Sequence, residues 1–87
     1  MIDGAKASNR CLIEFLLTDL DVALTFMDVA DTSEFRSTAD RNHQNARNAY
    51  DTVVAKLREV TPNPTQKAML DEKLAALRSR LKAVGRL

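Results

Sequence analysis

Glycine and proline are scarce in this chain, with two of each in 87 residues. Gly4 and Gly85 are the only glycines, so no glycine-rich loop is available to cradle a phosphate. So few helix breakers leave room for long helices. A single cysteine, Cys11, rules out an intrachain disulfide. It falls within an apolar helical pattern and reads as a small buried hydrophobe rather than a reactive thiol. Such cysteine usage fits a reducing cytoplasm. His43 is the lone histidine, flanked one helical turn away by Asp40 and Arg47. A metal site needs several converging ligands, so His43 reads as an ordinary helix residue. Tryptophan is missing, and the aromatics are Phe15, Phe26, Phe35 and Tyr50. Long charge-free apolar runs are missing too. The most apolar stretch, residues 11–30, carries Glu14, Asp19, Asp21 and Asp28, which excludes a membrane span. The opening MIDGAKASNR has no charged segment leading into an apolar core, so it does not read as a signal peptide. Alternating strand patterns and internal repeats are also lacking.

What the chain does contain is helical periodicity. Its length allows one domain. In residues 11–30, Glu14, Thr18, Asp21, Thr25 and Asp28 recur every three or four positions and form one polar stripe. The remainder is apolar on two adjoining faces. One holds Ile13, Leu16, Leu20, Ala23, Leu24 and Met27; the other holds Leu12, Phe15, Val22, Phe26 and Val29. Two apolar faces call for two neighbours, which makes this helix, about 5–31, the central element. It starts near Asp3 or Ser8, both good N-cap types. A second helix, about 33–60, follows Phe35, Ala39, Asn42, Ala46, Ala49, Val53, Leu57 and Val60. Its start stays open between a Thr32 or Ser33 cap and a capping box from Ser37 to Asp40. The TPNP stretch at 61–64 marks a break, after which Asn63 and Gln66 form a capping box with Pro64 in the first turn. The third helix, about 64–84, places Leu70, Leu74, Leu77, Leu81 and Val84 on one seam, and Gly85 sits at its C-terminal cap. Short links make consecutive helices antiparallel. The expected fold is therefore all-α, an antiparallel up-down-up three-helix bundle, with Leu16, Leu20, Val53, Leu57, Leu74, Leu77 and Leu81 in its core.

Charge is unevenly spread despite a net of +1. Residues 1–31 hold six carboxylates against two basic side chains, and residues 61–87 hold six basic side chains against two carboxylates. The two ends of the chain complement each other, which favours one helix arrangement over others. Asp19 breaks this order, because it lies on the apolar side of helix 1 among Leu12, Phe15, Val22 and Phe26. An ionised carboxylate there needs a partner. Alignment through a turn at 31–32 offers Arg47 on helix 2, and Arg78 or Arg80 on helix 3, with Asn45 or Tyr50 as neutral alternatives, so Asp19 is expected to fix the register through a polar contact with Arg47 or Arg78. Paired acids such as Asp19/Asp21 and Asp71/Glu72 do not face each other on a helix and are not an acid/base couple. No catalytic, cofactor-binding or metal-binding residue stands out, and no small-molecule substrate is implied.

Residues 45–57, NARNAYDTVVAKL, resemble the helices of tetratricopeptide-like helical-hairpin modules at Ala46, Ala49, Tyr50, Val53, Val54 and Leu57. The likeness covers about one helix in three. The chain departs from that family in having longer helices and no second copy of the repeat. The resemblance implies protein binding along a helical groove and assigns no functional residue. The sequence thus points to a non-enzymatic, cytoplasmic protein–protein interaction module, one form of which is a homodimer. Its surface is expected near Phe26 and Val29, beside the small residues Ala39 and Ala46. The alternative is a nucleic-acid-binding module that uses Arg78, Arg80, Lys82 and Arg86. Near-neutral charge and few aromatics weigh against nucleic acid.

Overall fold

The computed structural model describes residues 4–87, with side-chain environments from residue 8 onward. Three helices run up, down and up: α1 (Gly4–Thr32), α2 (Arg36–Lys56) and α3 (Pro64–Ala83). A 3-10 turn, Leu57–Glu59, continues from the end of α2. No strand occurs among the described residues. The expected all-α three-helix architecture is present, and helix 1 and helix 3 lie within a residue or two of their expected bounds. The Asp3 cap lies outside the described residues.

The second helix starts differently from either expectation. Phe35 occupies its N-cap and makes no side-chain capping bond. Ser33 instead accepts the Phe35 N–H through its hydroxyl, which also donates to the Phe35 carbonyl. The hydroxyl is thus committed to a local turn, and the helix opens two residues later. At the other link, the capping box forms as expected. Gln66 N–H donates to Asn63 Oδ1 at 2.8 Å, and Asn63 N–H donates to Gln66 Oε1 at 2.9 Å. The C-terminus of α3 closes with a Schellman motif. Gly85 sits at φ 73°, its N–H donates to Lys82, and the Arg86 N–H reaches the Leu81 carbonyl.

A single line of buried side chains fills the bundle. From α1 come Ile13, Leu16, Leu20, Ala23, Met27 and Ala30; from α2 and its turn, Ala46, Val53 and Val60; from α3, Leu70, Leu77 and Leu81. Leu57 and Leu74 pack against this line but are only partly buried. α1 contacts both other helices more extensively than they contact each other. It is the central element, as its two apolar faces suggest, yet only the first face is covered.

Polar links set the register of α1 against α3. Asn9 accepts the Thr61 N–H, Asp21 meets Lys73, and Asp28 meets Arg80. Each link spans the same 52 residues of sequence, so the two parallel helices run in step over their shared length. Arg80 also reaches Asp31 at 2.6 Å. Charge complementarity between the two ends of the chain is realised along this seam. The Asp28 hydrogen bond, with support from Asp31, raises the Arg80 pKa further despite partial burial.

Candidate interaction surfaces

The second apolar face of α1 faces solvent. Phe15 is 56% exposed, Val22 42% and Val29 43%. Cys11 is also exposed and lies on the same face, which corrects the expectation that it is buried. The core stripe of α1 begins at Ile13, and position 11 projects to the side opposite it. Phe26 and Leu12 are half-buried at the edge of this face, where they pack against the core. The result is an apolar stripe along some five turns of one helix, uncovered by the rest of the described chain.

The expected surface of Phe26, Val29, Ala39 and Ala46 does not form as a unit. Val29 is exposed, while Phe26 and Ala39 are half-buried. Ala46 is fully buried in the core and offers no surface. It lies where α2 closes on α1, so its small size serves that contact. The same holds for most of the hairpin-like pattern. Val53 is buried, and Ala49, Tyr50 and Leu57 pack against the core, leaving only Val54 exposed. Phe15 and Val22, absent from the expected surface, are more prominent members of the stripe. The helical wheel already placed them beside Phe26 and Val29; treating that whole face as an interior contact concealed them.

Asp19 lies half-buried within this stripe, and its expected partners are elsewhere. It makes no hydrogen bond or ion pair among the described residues. Burial pushes its carboxyl pKa above the ordinary value of 3.8. Arg47 pairs with Asp51 at 3.0 Å and donates to the Arg86 carbonyl. Arg80 is held by Asp28 and Asp31. Arg78 is exposed on the α2 side of α3. The α1–α2 link falls at 33–35 instead of 31–32, which shifts α2 by a few residues relative to α1 and brings Ala49 roughly level with Asp19. The 52-residue offset between α1 and α3 puts Asp71 level with Asp19 and Arg78 and Arg80 about two turns further along, while Arg47 turns to Asp51 and the Arg86 carbonyl.

The basic face of α3 is interrupted. Besides Arg80, Arg86 is engaged, by Asp40 at 3.3 Å. Arg78 and Lys82 are exposed and form no ion pair among the described residues. They flank an open groove of about 590 Å³ between α2 and α3, lined by Tyr50, Asp71, Leu74, Ala75 and Ser79. Asp71 is held by Lys67 at 2.8 Å, so the two cations dominate the groove.

Chemistry-bearing side chains do not converge. Among the described residues, no group of three or more His, Cys, Asp or Glu side chains is placed to hold a metal ion. His43 is half-buried, and its Nε2 atom has no hydrogen-bond partner there. No helix among the described residues is long and apolar enough to cross a membrane. No family model, curated protein or solved structure matches the chain.

Proposed function

We propose that this chain is a non-enzymatic helical protein–protein interaction module, working in the cytoplasm through the outer face of α1. The supporting observation is the uncovered stripe of Cys11, Phe15, Val22 and Val29 on the helix that organises the core. An apolar stripe along a rigid helix suits a helical or grooved partner. The reading includes no cofactor, metal or small-molecule substrate.

The test is capture from a native lysate by the wild-type chain and by a Val22→Asp variant of unchanged helical spectrum. The expected result is a protein retained by the wild type and lost with the variant. Identical retention by both would overturn the assignment of this face. Nucleic acid is the less supported reading, because Arg80 and Arg86 are engaged within the chain and leave Arg78 and Lys82 as the cations on that side of α3 with no ion pair among the described residues.

A further inference from the structure

Folding leaves charges of opposite sign without ion partners, among the described residues, on two different faces of the bundle. On α1, Phe15 stands between Glu14 on one side and Asp19 on the other, and neither carboxylate has an ion partner among the described residues. Across the bundle, the α2–α3 groove has half-buried Tyr50 and Leu74 at its inner side, the exposed small residues Ala75 and Ser79 on its α3 flank, and the cations Arg78 and Lys82, which form no ion pair among the described residues. The outward face of α1 and the outer groove between α2 and α3 lie on opposite sides of a three-helix bundle. We propose that the outer face of α1 in one copy docks into the α2–α3 groove of a second copy, with Phe15 in the groove and Glu14 and Asp19 near Arg78 and Lys82. This rests on the reading of the α1 face as an interaction surface and names its occupant.

Charge decides between this arrangement and a symmetric pairing of two α1 stripes. Asp19 lies near the middle of the stripe, which spans residues 11–29. In an antiparallel pair, a two-fold axis through that centre brings the two Asp19 carboxylates onto the same flank in a partly desolvated contact, and in a parallel pair it stacks them at one level. Like charges so placed oppose association. The groove offers cations instead. Ala75 and Ser79 keep the α3 flank low, while Tyr50 and Leu74 at the inner side provide apolar contact for Phe15. Because the two docking faces point in opposite directions, the contact is head-to-tail and does not close at two chains; it adds copies as concentration rises. The stripe is narrow, so the association is weak.

Sedimentation and light scattering of the whole chain, up to about 1 mM, test the proposal. The wild type is expected to gain average mass continuously, with no plateau at two chains, and to lose much of this in about 1 M salt, where screening acts within about 3 Å. Phe15→Asp removes the projecting face, and Arg78→Glu with Lys82→Glu inverts the groove. Each protein alone is expected to stay monomeric with an unchanged helical spectrum. Their equimolar mixture tests the direction of docking, because one retains an intact groove and the other an intact α1 face. It is expected to give a two-chain species and nothing larger. Val22→Glu serves as a second α1 variant should Phe15→Asp not fold. A wild type that stays monomeric, a plateau at two chains, or a mixture that stays monomeric would each overturn the proposal. Loss of lysate capture with Val22→Asp alongside a monomeric wild type would overturn self-docking while supporting the broader reading.

Discussion

Asp19 carries the clearest residue-scale consequence. Its folded pKa is raised by burial, so the ionised form is less stable in the fold than in the unfolded chain. The cost is fully present above the folded value, fades as pH falls through it, and is gone below the unfolded value. Asp19→Asn should therefore raise the melting temperature at pH 7 in dilute solution. The difference should vanish near pH 3, and melts of both proteins across that range check it. A lower melting temperature for the Asn variant at pH 7 would mean that Asp19 has a stabilising partner after all. Gly85 offers a second test. A Cβ at that position meets no atom within 4 Å, so the cost of Gly85→Ala is conformational, set by φ 73°. Chemical denaturation should show a loss of about 1 kcal/mol.

At the scale of elements, packing of α2 on α1 depends on Ala46, which is buried at the contact. Ala46→Leu should cost about 1–3 kcal/mol through overpacking. Ala39→Leu, at a half-buried position nearer the turn, should stay within about 0.5 kcal/mol. Equal losses at both sites would show that α2 closes on α1 evenly along its length. This contrast also marks how much was legible in the sequence. The Asn63–Gln66 box and the Gly85 cap were readable because their partners lie within a few residues and the chemistry is local. Leu16, Leu20, Leu77 and Leu81 were readable from period alone, while Leu57 and Leu74, on the same seams, pack only at the edge of the core. The start of α2 was not, since Ser33 has two local uses and chose the turn. The partner of Asp19 was not, because it depended on where the link falls, and a shift of a few residues there changes what each level of the bundle meets. The exposed apolar stripe was half legible: the wheel gave the second apolar face, but only the packed molecule shows that no helix among the described residues covers it.

The whole molecule is a rod, 54 × 19 × 18 Å, with a Cα radius of gyration of 14.5 Å. A compact chain of this length would have a radius near 12 Å. Its 5852 Å² of surface likewise exceeds the roughly 5,100 Å² expected for its mass. The core is thin, and each buried leucine carries a large share of stability. For a chain of this length that stability is about 4–13 kcal/mol. The ion pairs along the rod add little, since most of their carboxylates are more than half exposed. Leu77 is fully buried on α3 amid the shared core. Leu77→Ala should cost about 2–5 kcal/mol, from lost burial plus the cavity left behind. The narrow bundle has few neighbouring side chains to collapse into that space. Urea unfolding should remain a single transition, with its midpoint lowered and its slope unchanged, because all three helices share one core. A loss below about 0.5 kcal/mol would mean that α3 is held by its polar links and not by its leucine seam. A second transition would mean that α3 leaves the α1–α2 hairpin before the rest unfolds.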